Sequence, residues 1–292
     1  MSRCGGVEIR PRAVRRAGIV IHPRMPESTR LATELVDRLA ALGVEAEAAP
    51  RVDTGPLQAH LDSLDCLITL GGDGTIVRVA RAAAGHDVPV LGVNLGQLGF
   101  LAELQPAELE MRLEALARGD FRIEQRALLR ASLRAGDGWE GTFDGLNDVV
   151  VARSQKVRVI ALDVSIEGRF LATYRADGVI VATATGSTAY SLAAGGPILA
   201  PVLDDLLLTP VAPHLVPARA LVLPGACAIQ LQLCPGCRAV FSIDGQVDRP
   251  LAGGDTVSVT LSPRRVGFIR FGPPAEFYGT LFGRLRWATQ RT

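Results

Sequence analysis

The run Leu64–Leu70 (LDCLITL) passes directly into Gly71-Gly72-Asp73-Gly74-Thr75 and from there into Ile76–Ala84 (IVRVARAAA). The apolar run reads as a buried strand, the glycines as a turn and the last stretch as a helix. The same alternation continues on both sides. Upstream, Gly18–Ile21 reads as another buried strand, followed by a helix from about Glu27 to Leu42. That helix sets Leu31, Leu35, Leu39 and Leu42 at helical spacing and stops at Gly43. Downstream, Val88–Val93 is a further strand and Pro106–Arg118 an amphipathic helix. Strands alternating with helices predict a parallel sheet with crossover connections, an α/β domain.

The texture changes at about Phe121. Short runs rich in Val, Ile and Leu then follow one another with Gly and Asp between them: Leu128–Leu133, Asp148–Val151, Val157–Ile166, Gly178–Ala182, Ala228–Leu233, Ala239–Ile243 and Thr256–Leu261. This pattern predicts a β-sandwich. Its one helical candidate is Ala189–Ala194, and Glu276–Trp287 reads as a closing helix that returns to the first domain. The expected organisation is an α/β domain over 1–123, a β-sandwich over 124–271 and a returning segment over 272–292.

Composition narrows the function. With 292 residues, 48% of them hydrophobic, the chain can bury two sizeable cores. Its 31 basic and 30 acidic residues leave a net charge of +1, which excludes a nucleic-acid binder that works by bulk charge. Lys156 is the only lysine, and it follows Gln155, so no Walker A loop exists. Phosphate chemistry here falls to backbone amides, arginine, hydroxyls or a metal. The cysteines at 4, 66, 227, 234 and 237 form no disulfide framework and fit a reducing cytoplasm. No apolar run of membrane-spanning length is present, and Ala17–Ile21 is too short for a signal-peptide core.

Gly71–Thr75 carries the main chemical signal. Gly-Gly occurs four times and Asp-Gly five times, so neither dipeptide singles out a site by itself. Their position at the carboxyl end of a parallel strand does, because ligands of open α/β sheets bind there. Glycine backbones and helix N-terminal amides approach phosphate closely. An aspartate in such a loop repels phosphate, so Asp73 makes sense if it takes a proton or meets a cation. A second glycine cluster, Asn94–Leu101, lacks dinucleotide-fingerprint spacing and is open to a structural or a binding reading. A third runs from Asp177-Gly178 through Thr183–Ser191 to Gly195-Gly196-Pro197; its hydroxyls suit a polar pocket, or Ser187 or Thr188 caps the short helix. Arg175, close by, is a candidate bidentate phosphate partner. Asn147-Asp148, read alone, is a turn.

Other patterns fail. Cys234-Pro235-Gly236-Cys237 has no second CxxC or histidine pair to complete a zinc set and reads as a hairpin tip. His22, His60, His86 and His214 are scattered, Gly186-Ser187 does not fit a nucleophile elbow, and Arg12, Arg15 and Arg16 read as a solvated arm.

Taken together, GGDGT (Gly71–Thr75), NLGQLGFL (Asn94–Leu101), LNDVVV (Leu146–Val151), Tyr174–Ile198 and IDGQ (Ile243–Gln246) closely resemble the bacterial NAD kinases, in order and spacing across nearly the whole chain. GGDG is shared with 6-phosphofructokinases and with diacylglycerol and sphingosine kinases; Thr-Gly-Ser-Thr-Ala-Tyr-Ser followed by Gly-Gly-Pro is far more specific. Two departures occur: Ala184 stands where the family usually has proline, and Asp148 where it often has glutamate. The resemblance implies a Rossmann-like, phosphofructokinase-like N-terminal domain and a C-terminal β-sandwich. It also implies ATP-dependent phosphorylation of the 2′-hydroxyl of the adenosine ribose of NAD, with Mg²⁺ accompanying ATP and Asp73 as general base.

The resemblance further implies that Asp73 and Gly74 contact the NAD ribose and Arg78 a phosphate. Asn147 and Asp148 would bind adenosine. Arg158, Arg175 and Asp177 fall on binding positions, Arg175 on the one associated with preferring NAD over NADH. Thr188, Ala189, Tyr190, Ser191, Leu192 and Ala193 would line the adenine and ribose pocket, with Gln246 a distal contact. The active site would lie between domains and be completed by a neighbouring subunit of a homodimer or homotetramer. Two alternatives remain at this stage. A lipid or sugar kinase sharing GGDG would need an acyl pocket or sugar-phosphate arginines, which the sequence does not single out. A non-catalytic NADP-binding sensor would gain nothing from Asp73 beside phosphates.

Overall fold

The structure is a computed structural model; it describes residues 11–52, 56–96, 99–136, 138–154, 159–214 and 219–285. The chain divides into two compact units, residues 1–125 with 266–292 and residues 126–265.

The first unit contains β1 (Arg16–Ile21), α1 (Pro26–Ala41), β2 (Glu45–Ala49), α2 (Pro56–His60), β3 (Cys66–Leu70), α3 (Asp73–Ala83), β4 (Val90–Val93) and α4 (Pro106–Arg118). The strands pair in parallel in the order β2-β1-β3-β4. One sheet face carries Ala17, Ile19, Cys66, Ile68, Leu70, Leu91 and Val93 against Ala32, Leu35 and Leu39 of α1 and Leu109, Leu113 and Leu116 of α4. On the other face Gly18 leaves room for Leu57 and Leu64, and Gly92 for Ile76 of α3. A parallel sheet covered on both faces explains why its strands read as continuous apolar runs.

The second unit comprises β5 (Arg122–Arg134), β6 (Glu140–Gly145), β7 (Asp148–Arg153), β8 (Ile160–Ile166), β9 (Arg169–Ala176), β10 (Gly178–Thr183), α5 (Tyr190–Ala193), β11 (Leu206–Val211), β12 (Leu221–Leu223), β13 (Ile229–Leu233), β14 (Arg238–Ile243), β15 (Val247–Ala252) and β16 (Thr256–Arg270); β5 begins, and β16 ends, in the first unit. One set of antiparallel strands runs β16-β13-β8-β9, with β5 beside β16 and β6 beside β5; the other sheet runs β12-β11-β10-β7-β14-β15. Alternate residues of both sheets face each other: Val149, Val151, Val179, Val181, Leu206 and Leu208 meet Leu162, Val164, Ile229, Leu231, Val257 and Val259. The residues between them, Val150, Ile180, Ala182 and Leu207, point to the opposite face and are covered by Ala184 and Leu199. The period of two makes this a sandwich with one face of the second sheet roofed by the 184–199 segment. In the first unit again, Phe268 of β16 pairs in parallel with Val90 of β4, and α6 (Glu276–Arg284) follows.

Several expectations are corrected. Helix α3 starts at Asp73, three residues before the expected Ile76, because the Gly72 carbonyl already accepts the Thr75 and Ile76 amides (2.9 and 3.2 Å). The Cys234–Cys237 turn is no hairpin tip: β13 and β14 belong to different sheets, and the turn carries the chain between them. The strand expected over Thr256–Leu261 continues to Arg270. β2 was not expected, since its exposed Glu and Ala residues have low strand propensity and pair only because β1 offers an edge. Trp287 of the expected closing helix, Val157, and Cys4 lie outside the described residues.

Candidate nucleotide-binding site

In the first unit the site begins where β3 ends. Gly71 donates its amide to the Val93 carbonyl (3.0 Å), and Gly72 is the N-cap of α3. Asp73 is therefore the first helical residue, half-buried, where the helix dipole favours a carboxylate. Its two oxygens are held by the second glycine cluster: the Phe100 amide donates to Oδ2 (2.7 Å) and the Leu101 amide to Oδ1 (3.3 Å). A Cβ on Gly99 would overlap this carboxylate. The Asn94–Leu101 cluster thus has a defined structural task at its far end; Gln97 and Leu98 lie outside the described residues. Gly74 is exposed beside Asp73. Further along α3, Arg78 is half-buried and its Nη2 is buried without a hydrogen-bond partner among the described residues. A buried guanidinium nitrogen left unpaired is costly, and an anion is its natural complement.

In the second unit three separated motifs meet. Asp244 sits in the turn between β14 and β15 at φ +52°, a left-handed conformation that an aspartate tolerates better than most residues. Its carboxylate accepts the amides of Leu146 (2.8 Å), Asn147 (2.7 Å) and Asp148 (3.1 Å), and its own amide donates to the Asp148 carbonyl (3.0 Å). From the other side, Thr183 Oγ1 donates to the Leu146 carbonyl (2.6 Å) and accepts the Gly186 amide (3.1 Å). Gly186 packs so tightly on the Asn147 backbone that a Cβ would overlap it. Asn147-Asp148 is therefore not a free turn but the clamped start of β7.

Asp148 is buried, and its carboxyl is pushed up to about 7, first by burial and then by the Asp244 charge, while a hydrogen bond from the Tyr190 amide works the other way. Of the segment that follows, Thr188 is half-buried with its hydroxyl donating to the Thr185 carbonyl (3.2 Å). Ala189 and Leu192 are half-buried, Tyr190 and Ala193 exposed. Ser191 is fully buried, its hydroxyl bonded to that of Thr209 (2.9 Å). Neither Ser187 nor Thr188 caps α5: the Ser187 hydroxyl donates to the Ala184 carbonyl (2.6 Å) and accepts the Leu199 amide (3.0 Å).

Of the other expected residues, Gln246 shares the turn of this clamp while Arg175 and Asp177 lie on or beside β9. Arg175 is exposed on β9, an edge strand of the other sheet. Asp177 pairs with Arg153 (3.1 Å), and Gln246 is exposed in the Asp244 turn. Arg158 lies outside the described residues. Sequence reasoning quoted the motifs containing Asp244, Thr183, Phe100 and Leu101 without assigning those residues a task. Their signal was position inside a motif; their task is visible only through backbone partners far away in the chain.

An α/β unit with a Gly-Gly-Asp-Gly helix start, together with a β-sandwich that clamps an Asn-Asp pair under a Thr-Gly-Ser-Thr turn, is the arrangement of a two-domain nucleotide kinase. The profile of the ATP-NAD kinase N-terminal domain matches residues 17–121, and that of the ATP-NAD kinase C-terminal domain residues 146–271. Proteins named NAD kinase from Dehalococcoides mccartyi (strain CBDB1) and Chloroflexus aggregans are 40% and 39% identical over 273 and 271 residues; each match covers 93% of this chain, and 96% and 98% of the relative. Among solved structures, yeast NADH kinase complexed with NADH superposes with a TM-score of 0.86 at 26% identity, covering 97% of this chain and 89% of that one. An NAD kinase from Archaeoglobus fulgidus in complex with ATP superposes with a TM-score of 0.74 at 26% identity, covering 94% and 99%. The chain belongs to the ATP-NAD kinase family.

Proposed function

We propose that this protein transfers the γ-phosphoryl group of ATP to the 2′-hydroxyl of the adenosine ribose of NAD, producing NADP and ADP. The ribose oxygen forms the new bond to phosphorus, the bond from that phosphorus to the β,γ-bridging oxygen breaks, and the hydroxyl proton passes to Asp73. The carrying observation is the Asp73 carboxylate, oriented by the Phe100 and Leu101 amides yet half-exposed. Each carboxylate oxygen has two lone pairs. One amide on each oxygen leaves acceptor capacity for the substrate hydroxyl, so the base is preoriented without being used up. Phosphoryl transfer depends mainly on such positioning and on charge stabilisation.

Gly74 and Asp73 contact the reacting ribose in this reading, and the unpaired Arg78 Nη2 takes a phosphate oxygen. Asn147 and Asp148 hold adenosine, Asp148 through ribose hydroxyls. Thr188–Ala193 line the adenine and ribose, with Ser191 acting through its backbone because its hydroxyl is committed to Thr209. Arg158, Arg175, Asp177 and Gln246 complete the binding set. Arg175, exposed on an edge strand, suits a contact to a second copy in a homodimer or homotetramer. Mg²⁺ accompanying ATP would neutralise charge on the phosphates.

Incubation with NAD, ATP and Mg²⁺ is expected to yield NADP⁺. Asp73→Asn is expected to lower kcat about 10³-fold with NAD affinity near that of the parent. Wild-type turnover by Asp73→Asn overturns the base assignment, and tight NADP binding with no turnover by the parent overturns the enzyme reading.

A further inference from the structure

The Asp73 cradle is itself anchored by a charge cluster built on a buried ion pair, Arg270 and Glu124. Leu101 is gripped at both its polar groups: its amide donates to Asp73 Oδ1 (3.3 Å), and its carbonyl accepts Arg270 Nη1 (3.1 Å). Arg270 is 7% exposed and is the last residue of β16. The same Nη1 reaches Glu103 Oε2 (3.1 Å), and Nε reaches Glu124 Oε1 (3.2 Å). Glu103 turns its other oxygen to the Phe271 amide (2.7 Å). Glu124 is held in turn by Arg122 Nη1 (3.1 Å), whose Nε donates to the Gly272 carbonyl (2.7 Å). Two arginines and two glutamates thus join three separated segments around residue 101.

Arg270 and Glu124 are buried, and Glu103 and Arg122 partly so; such a cluster is a poor choice for stability alone, because desolvating its central pair offsets much of their attraction. Its geometry has a second consequence. The planar guanidinium fork fixes the 101–103 segment in one place, and that segment supplies one of the two amides that aim Asp73. The other amide, from Phe100, is its immediate neighbour.

We propose that Arg270 is a positioning residue for catalysis, holding the Leu101 backbone so that its amide keeps the Asp73 carboxylate aimed at the substrate hydroxyl. The proposal rests on the reading of Asp73 as the base. It makes the returning end of β16 part of the catalytic apparatus without substrate contact.

The test is a double-mutant cycle on the full-length protein, with kcat and both KM values and a melting curve for each variant. Arg270→Lys keeps a positive charge between Glu103 and Glu124 but replaces the fork by a point donor. It is expected to lower kcat about 10-fold while KM for NAD and for ATP stays within about 3-fold, the pattern of lost transition-state positioning. In the Asp73→Asn background the same substitution is expected to cost less than about 2-fold, because no base remains to be aimed. Glu103→Gln probes the same arm from its far side and keeps an acceptor for the Phe271 amide; the same non-additive pattern is expected, and it decides the matter if Arg270→Lys does not fold. Parental kcat in both variants, or an equal loss in both backgrounds, overturns the proposal while leaving the functional reading intact. A fully active Asp73→Asn overturns both.

Discussion

Asp73 and Asp148 are both aspartates to which we assign parts in the proposed reaction, and their surroundings differ sharply. Asp73 starts a helix, is half-exposed, and receives two amides from a glycine-rich segment. Asp148 starts a strand, is buried, and faces a second carboxylate, that of Asp244. The first environment orients the carboxylate through two amides and leaves it half-exposed, within reach of a ligand. The second penalises the charge until something supplies donors, as a pair of ribose hydroxyls would. The same side chain thus sits in two opposed environments, helix dipole and amides in one place and burial with a like charge in the other, which under the proposed reaction suit proton transfer and recognition respectively.

Removing the support of either carboxylate separates these roles. The largest effect is expected from Asp244→Ala, which strips the acceptor from three backbone amides at once. Stability should fall by about 4 kcal/mol and KM for NAD rise about 10-fold, read from urea unfolding and initial rates. A stable variant with parental KM would show that the clamp does not hold Asn147 and Asp148 for the adenosine contact we propose.

Next comes Gly99→Ala, whose Cβ would displace the Asp73 carboxylate. It is expected to lower kcat about 10²-fold, equivalent to about 3 kcal/mol of transition-state stabilisation, with much less change in KM. If KM rises and kcat holds, Asp73 belongs with binding rather than proton transfer, and the contrast between the two aspartates disappears.

The smallest effect concerns pH. The Asp148 carboxyl stands at about 7 in the folded protein against 3.8 for the free group. Between these values the folded state binds the extra proton, so the stability this provides is complete below the lower value and is lost as pH rises through the upper one. Nucleotide-free protein is expected to be about 2–3 kcal/mol less stable at pH 8 than at pH 5 from this group. Asp148→Asn should flatten that slope in thermal unfolding across the range. An unchanged slope would show that burial does not hold a proton on Asp148.

Much of the first unit was legible because its signals are local. Apolar runs with helices between them define a parallel sheet whatever surrounds it, and α4 was bounded by its proline at one end and Gly119 in the left-handed region at the other. The start of α3 was not legible, because glycines and an aspartate favour a turn until β4 holds the Gly71 amide and the 100–101 loop holds the Asp73 carboxylate. In the second unit, alternation predicted the sandwich, yet it could not reveal that the Cys234–Cys237 turn changes sheets. Either connection buries the same face of each strand.

The sequence by itself determined the alternating α/β architecture, the sandwich and the motifs of a nucleotide kinase, because periodicity and glycine chemistry act over a few residues. Only the tertiary structure decided what holds those motifs. Leu101 meets Asp73 across 28 positions, Asp244 meets Asn147 across 97 and Arg270 meets Leu101 across 169. These are bonds to backbone amides and carbonyls, which every residue type carries, so their partners are set by the order in which strands come to lie side by side.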